Sequence, residues 1–197
     1  MTETMTPKAR TRARILDEAA KAMRAHGSDG IGVAALMKRA GLTHGGFYAH
    51  FKNRDDLVAH AIDRMFEDSA EMLERHLKRE DAAKGLAGLI DYYLSDDARR
   101  RTDGGCPLPS LSGESLRMPM AAQERFGAGI NAFRSALQRT LTSIGLPQPD
   151  ELASSVLAEL VGAMALARAL GEGHASSGVL HASREQLKRR LGLIQSG

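Results

Sequence analysis

The sequence has 197 residues, of which 43% are hydrophobic, 4% are aromatic and 26% are charged, and its net charge is +3. This length and content allow a sizeable buried core in one large domain or two small ones. Its single cysteine excludes a framework of intramolecular disulfides, and its longest apolar run, near residues 161–167, is far too short to span a bilayer. We therefore expect a soluble cytoplasmic protein with no membrane partner.

The charges are unevenly distributed along the chain. Residues 1–54 contain ten Lys and Arg against four Asp and Glu, a net charge of +6, whereas the remaining 143 residues contain seventeen against twenty, a net charge of −3. A basic end on a weakly acidic body is typical of a chain whose first domain binds phosphates. A solvated basic face is the alternative interpretation.

The predicted elements begin with a disordered arm over residues 1–7 and a first helix that ends at Gly27. Thr11 is predicted to cap that helix, and Ile31 is expected in the core. Four basic side chains near its start could reach a DNA groove: Lys8, Arg10, Arg12 and Arg14.

Residues 33–51 predict two short helices joined by a tight turn. The first runs from Val33 to Ala40 with apolar residues at three- and four-residue spacing. Gly41 can close it in the left-handed backbone conformation. Thr43 is predicted to cap the second helix through its hydroxyl, whereas Gly32 offers the first only a weak cap. The pattern is that of a helix-turn-helix motif.

Two glycines near the start of the second helix run against helix propensity. Gly45 and Gly46 each cost roughly 1 kcal/mol relative to alanine in a helix interior. A functional explanation is that the missing side chains let the backbone approach DNA phosphates or base edges. A frayed helix start in an ordinary bundle is the alternative.

The segment IGVAALMKRAGLTHGGFYAHFKNRDDLVAHAI, residues 31–62, resembles the DNA-binding region of TetR/AcrR-type transcriptional regulators. The shared pattern is Ala-Gly-hydrophobic-Thr, then a glycine-containing recognition helix with aromatic-Tyr-x-His-Phe, then a basic residue that opens the fourth helix. The resemblance covers roughly residues 10–65. Gly32 departs from the usual Thr or Ser, and Arg54 from the usual lysine.

The resemblance implies which side chains face DNA. His44 is the candidate for a base-edge contact, and the other polar side chains of the motif are candidates for phosphate contacts, while Phe47 and Phe51 are expected to be structural. If His44 and His50 gain charge on DNA, affinity should rise as the pH falls below about 7; a flat pH profile would refute this. The candidate DNA-binding residues are Thr43, His44, Gly45, Gly46, Tyr48, His50, Lys52 and Arg54.

The rest of the chain predicts further helices. Asn53 is expected to cap a long fourth helix that runs to about residue 79, and a fifth helix is expected to break at residues 103–105. An irregular piece over residues 106–115 precedes an amphipathic helix ended by Gly145, and Pro149 opens the next. The predicted fold class is all-α with about nine helices: a three-helix, homeodomain-like helix-turn-helix domain (1–53) and a helical ligand-binding and dimerisation domain (54–197).

The resemblance implies a double-stranded DNA operator, a small-molecule effector and a homodimer formed by the last two helices. The predicted function is a dimeric repressor that an effector releases from a pseudo-palindromic operator. The sequence shows no arrangement typical of an enzyme, and we predict no cofactor; His174 and His181, in a Gly/Ser-flanked connection, lack further metal ligands. The candidate effector-pocket residues are Tyr92, Tyr93, Cys106, Met118, Phe126, Ile130, Phe133 and Met164.

Two alternatives stay open at this stage. Arg99, Arg100 and Arg101 lie close to Cys106 in sequence and would allow a lowered thiol pKa. The resemblance adds the alternative of an oxidant- or electrophile-sensing repressor, because some members of the family use a cysteine in this region as a sensor. A buried apolar thiol is the other interpretation. A helical interaction module with an unused helix-turn-helix is the second alternative, and sequence-selective DNA affinity would separate it from a regulator.

Overall fold

A computed structural model describes residues 6–30 and 32–194. Within these ranges the chain forms nine α-helices and two 3-10 helices, in agreement with the predicted all-α class. Most of the predicted arm and the predicted core residue Ile31 lie outside the described residues. The α-helices are α1 Pro7–His26, α2 Val33–Arg39, α3 Arg54–Leu77, α4 Ala82–Tyr93, α5 Asp96–Arg100, α6 Leu108–Leu111, α7 Met120–Ile144, α8 Pro149–Ala169 and α9 His174–Arg190.

The first helix begins earlier than its sequence predicts. Thr6 is the N-cap, its hydroxyl accepts a hydrogen bond from the Ala9 backbone N–H at 3.2 Å, and Pro7 occupies the first helical position. Proline has no N–H to lose there and its fixed φ suits a helix start. Thr11 therefore lies inside α1, and the predicted cap at Thr11 is wrong.

The turn after α2 forms as predicted. Gly41 has a φ of 68°, and its N–H donates to the Lys38 carbonyl at 3.0 Å. The Leu42 N–H reaches back to the Met37 carbonyl at 2.9 Å, so the carbonyls at the end of α2 are satisfied. No side chain caps the start of α2 at Gly32.

Helix α3 connects the N-terminal helices to the rest of the core. The Asn53 side chain accepts from the Asp56 N–H at 2.8 Å, and the Asp56 carboxylate accepts from the Lys52 N–H at 3.0 Å, so the predicted cap is confirmed and reinforced. Helix α3 packs against α1, α4 and α7. It approaches α7 closely at Gly129, where an added Cβ atom would lie 2.3 Å from the Phe66 ring.

The C-terminal helices differ from prediction in three places. The fifth predicted helix ends at Tyr93, because Ser95 caps a separate short helix, α5, through its hydroxyl. The segment predicted to be irregular contains α6 and the 3-10 helix Ser112–Arg117. His174 and His181 lie in α9 and not in a connection. The end of α7 at Gly145 and the start of α8 at Pro149 agree with prediction.

Helix α8 is more apolar as a whole than the short run at residues 161–167 suggested. By length and composition alone it is the one helix of the described chain that could cross a membrane. A core helix of a soluble protein meets the same two criteria. The buried side of α8, which includes Ala153, Val156 and Leu160, faces a core formed with α7 and α9.

Candidate DNA-binding surface and interior cavities

The second helix of the helix-turn-helix motif is the 3-10 helix His44–Ala49, which we call the recognition helix. Thr43 precedes it in extended conformation, but its hydroxyl makes no capping hydrogen bond, so that prediction is wrong. The Thr43 backbone carbonyl instead accepts from the Gly46 N–H at 3.1 Å. Because the exposed Thr43 hydroxyl makes no capping hydrogen bond to the 3-10 helix, it is available to an outside partner.

The aromatic side chains of this segment divide between core and surface. Phe47 and Phe51 are buried with their rings stacked 5.6 Å apart, in agreement with their expected structural role. Tyr48 is 70% exposed, and its ring stands edge-on to Phe47 at 5.3 Å. The buried pair thus holds an exposed tyrosine in a fixed direction.

Nothing in residues 6–30 and 32–194 requires Gly45 or Gly46 to be glycine. A Cβ atom at Gly45 would meet nothing within 4 Å, and one at Gly46 would make only ordinary contacts at 3.7 and 3.8 Å. Neither residue has a positive φ. Because neither packing nor backbone conformation requires glycine here, an outside surface that approaches the backbone is the better explanation.

The remaining predicted contact residues differ in how freely they face solvent. His44 and Lys52 are exposed. His50 is half-buried, and its buried Nδ1 has no hydrogen-bond partner among the described residues. Arg54 is engaged inside the protein: its guanidinium donates to the Ser28 carbonyl and to the Asp29 carboxylate, both at 2.7 Å.

Two contacts that shape this surface were not predicted from the sequence. The Arg12 guanidinium lies 4.9 Å from the centroid of the Phe51 ring, a cation–π contact between α1 and the end of the recognition segment, by which we mean residues 43–53. Glu114 accepts hydrogen bonds from the N–H of Ser28 at 2.8 Å and from its hydroxyl at 2.9 Å. Ser28 thus connects the 3-10 helix Ser112–Arg117 to Arg54, at the start of α3. No local sequence signal marks a contact between residues this far apart.

The larger cavity lies between α3 and α7, opens to solvent and has a volume of about 450 Å³; three charged residues, Glu74, Lys78 and Arg139, are part of its lining. Phe66, Leu73, Leu77 and Phe133 form apolar parts of its wall. The hydroxyls of Ser69, Thr140 and Ser143 also line it, but each donates to a backbone carbonyl of its own helix. The cavity therefore offers mostly apolar surface to a guest.

A smaller cavity of about 30 Å³ lies beside α8. Of the predicted pocket residues, Tyr92, Tyr93, Cys106 and Met164 line this cavity, and only Phe133 lines the larger one. The single pocket predicted from sequence is therefore two cavities. The remaining three predicted residues line neither cavity: Met118, Phe126 and Ile130. The Phe126 ring instead packs edge-on against the Phe66 ring, with the ring centroids 5.6 Å apart.

The environment of Cys106 has the opposite effect on the thiol from the one expected. Burial raises the pKa of Cys106, so the hypothesis of a lowered pKa is wrong. Arg99, one of the arginines thought to lower it, is engaged with Asp96 at 3.1 Å and Glu172 at 2.8 Å. Cys106 is thus a buried thiol, and a higher pKa disfavours the reactive thiolate.

Comparisons with known proteins agree with this geometry. Residues 15–61 match the family model for bacterial regulatory proteins of the tetR family. No curated protein matches the sequence. Among solved structures, a TetR transcriptional regulator from Chloroflexus aurantiacus is 27% identical, with 95% of this chain and 97% of that chain covered and a TM-score of 0.81.

Two further structures share the fold at lower identity. A TetR-family regulator from Cytophaga hutchinsonii is 20% identical over 99% of this chain and 100% of its own, with a TM-score of 0.84. The reduced form of NemR from E. coli is 18% identical over 91% of this chain and 96% of its own, with a TM-score of 0.81. The matched helix-turn-helix and the full-length likeness support a DNA-binding transcriptional regulator of TetR type.

Proposed function

We propose that the protein is a dimeric cytoplasmic repressor that occupies a pseudo-palindromic operator and is released when a small apolar molecule fills the cavity between α3 and α7. The observation that carries this proposal is the double role of α3. The helix begins directly after the recognition segment, and side chains further along it, Phe66 and Leu73 among them, form the cavity wall.

Residues 1–53 act as the DNA-binding domain in this proposal, and residues 54–197 bind the effector and form the dimer. The exposed Tyr48 and Lys52, with the free Thr43 hydroxyl, contact phosphates, and His44 reads a base edge. Gly45 and Gly46 let the backbone come close. Arg54 has internal partners, so its phosphate contact requires it to share its guanidinium with DNA or to leave Asp29.

The proposed dimer interface is supported by the outer faces of α8 and α9. Leu166 is 61% exposed and Leu170 is 53% exposed, which is unusual for large apolar side chains near a helix end. The neighbouring exposed positions are small, which allows helices of two copies to approach closely: Ser155, Ala158 and Ala169 on α8, and Ala175, Gly178 and Ala182 on α9. A two-fold dimer would place its recognition helices in successive major grooves.

The proposed effector site has a volume in the range of small-molecule pockets, which is roughly 300–1,000 Å³. A guest between α3 and α7 changes the position of α3 relative to the recognition helix. The link from Glu114 through Ser28 to Arg54 gives a second route by which movement in the C-terminal body reaches the DNA-binding surface. The coupling is reciprocal, so the effector must bind more weakly to the DNA complex.

The test of this proposal is selection of bound sequences from random duplex DNA at a fixed, near-physiological salt concentration. The control is the double variant His44→Ala, Tyr48→Ala, which removes two exposed side chains of the recognition helix. We expect a palindromic consensus that the double variant does not enrich. Equal enrichment by both proteins would refute sequence reading by these residues, and a consensus without two-fold symmetry would refute the dimer.

The effector site has a separate test. Ala136→Leu fills part of the cavity, and Ala121→Leu, on an exposed position of the same helix, is the matched control. In a screen of small apolar molecules on the operator complex, we expect the control to respond like wild type and Ala136→Leu to need a higher concentration. Equal responses would place the effector outside this cavity.

A further inference from the structure

The smaller cavity contains hydrogen-bond donors that have no oxygen or nitrogen acceptor among the described residues. The Tyr93 side chain is buried, with 4% exposure, and its hydroxyl lies beside the Cys106 thiol, a weak partner, with no hydrogen bond to an oxygen or nitrogen among the described residues. The Nε of Arg168 is also buried and without a partner among them. Both side chains line the same cavity of about 30 Å³. Unsatisfied buried donors are rare in folded proteins, so each one needs an explanation.

Arg168 is held in place by neutral acceptors alone. Its NH1 donates to the Ser110 hydroxyl at 2.8 Å, and its NH2 donates to the carbonyls of Ala98 and Arg101 at 3.2 Å each. No carboxylate pairs with it in residues 6–30 and 32–194, whereas the buried Arg24 and Arg99 are each paired with acids. The guanidinium is thus fixed in direction while its charge has no counterion in this part of the chain.

The cavity lining as a whole favours a negatively charged guest. It includes a second arginine, Arg101, and no Asp or Glu. The exposed Arg101 and the half-buried Gly104 and Gly105 place one side of the cavity toward the surface. Burial in a low dielectric strengthens the attraction between a fixed guanidinium and an anion.

We propose that this cavity is a binding site for a carboxylate group, which accepts hydrogen bonds from Arg168 Nε and the Tyr93 hydroxyl. Its volume admits a group of formate size, since a single water needs about 10–15 Å³ on the same measure. The carboxylate is either a free small anion or the head group of a larger acid whose body extends past Arg101. The site is separate from the α3–α7 cavity and does not depend on the effector or the operator proposed above.

The location of the site gives it access to the DNA-binding half of the protein. Gly104 lines both this cavity and a neighbouring cleft of about 350 Å³ whose wall includes Lys21 and Arg24 of α1. A ligand held at residues 101–105 therefore lies beside α1.

The test is thermal unfolding of the full chain in sodium formate, with sodium chloride as the reference at equal ionic strength. At formate tenfold above its dissociation constant, we expect the wild-type Tm to rise by about 3–5 °C over the reference. Tyr93→Phe removes one donor and keeps the ring, so it should fold and show a smaller rise. Arg168→Met should show none, and Arg139→Met, at the larger cavity, should match wild type.

An equal rise in wild type and Tyr93→Phe would overturn the proposal, because a general salt effect does not depend on one hydroxyl. A crystal grown in formate with only water in this cavity would overturn it as well. Benzoate distinguishes the two sources of the carboxylate. A comparable rise that Tyr93→Phe reduces identifies the head group of a larger acid, whereas a rise confined to formate identifies a free small anion.

Discussion

Replacing Gly45 with alanine should separate the stability of the free protein from its affinity for DNA. A Cβ atom at Gly45 meets nothing within 4 Å, and the residue has no positive φ, so alanine fits without strain. Alanine also restricts the unfolded chain, and we expect the free energy of unfolding to rise by about 0.4–1 kcal/mol. For a chain of this size, Tm should rise by about 1–4 °C.

The same methyl group should weaken DNA binding. If Gly45 lies against a phosphate or a base edge, the Cβ atom holds the backbone away and lengthens the hydrogen bonds made there. We expect affinity for the selected operator to fall about tenfold, which corresponds to about 1.4 kcal/mol. Fluorescence anisotropy with a labelled duplex at fixed salt measures this change, and urea unfolding measures the stability.

Gly127→Ala is the matched control, since Gly127 lies in α7, also has open space around its Cβ position and is outside the recognition segment. It should gain comparable stability and keep wild-type affinity. Wild-type affinity in Gly45→Ala would refute a role for the glycine in close approach to DNA. A loss of stability in Gly45→Ala would refute the conclusion that alanine fits there.

Three further predictions concern the body of the protein. Gly129→Ala should lower the free energy of unfolding by about 1–3 kcal/mol, because the new methyl group overlaps the Phe66 ring. The free energy of unfolding should fall as the pH drops below about 6.5. Burial is the main cause of a lowered pKa at His60 and His76, so the folded state binds fewer protons than the unfolded state in that pH range. Glu114→Ala should cost about 1–2 kcal/mol of stability through two lost hydrogen bonds and should reduce the effect of an effector on DNA affinity.

Urea unfolding checks the first two of these predictions. Gly127→Ala, two residues from Gly129 on the same helix, controls for alanine itself; equal stability of the two variants would mean that α3 and α7 can separate at no cost. A His76→Asn variant should lose less stability on acidification than wild type, and an unchanged pH dependence would show that His76 does not contribute. For Glu114→Ala, anisotropy titrations with and without effector should give a smaller ratio of affinities, and an unchanged ratio would exclude this route of coupling.

Local sequence patterns predicted the features that depend on neighbouring residues. The left-handed Gly41 closes α2, Asn53 caps α3, and Gly145 and Pro149 separate α7 from α8, each as expected. In these cases the conformation follows from the missing side chain of glycine, the fixed φ of proline or a side chain that reaches three residues along the chain. The helix-turn-helix motif was predictable for the same reason.

Other features were decided only by the tertiary structure. The recognition helix is 3-10, and its predicted Thr43 cap does not form, although the sequence pattern fits an α-helix. The single predicted pocket became two cavities: Tyr93 lines one and Phe133 lines the other, with their rings 6.3 Å apart. Spacing along the chain does not report which side chains meet across helices.

The pairing of charged side chains was the feature that the sequence predicted least well. Three arginines close to Cys106 in sequence suggested a lowered thiol pKa, but the folded chain buries the thiol, and burial raises its pKa. Arg54 looked like a free phosphate ligand until the fold placed Asp29 beside it, and Arg168 became notable only because the fold gives it no acid partner within the described residues. The sequence by itself determined the long helices, the motif and the family resemblance, because these depend on local patterns. The tertiary structure decided which charges are paired and which donors are left over, because burial and long-range contacts set the energy of a polar group.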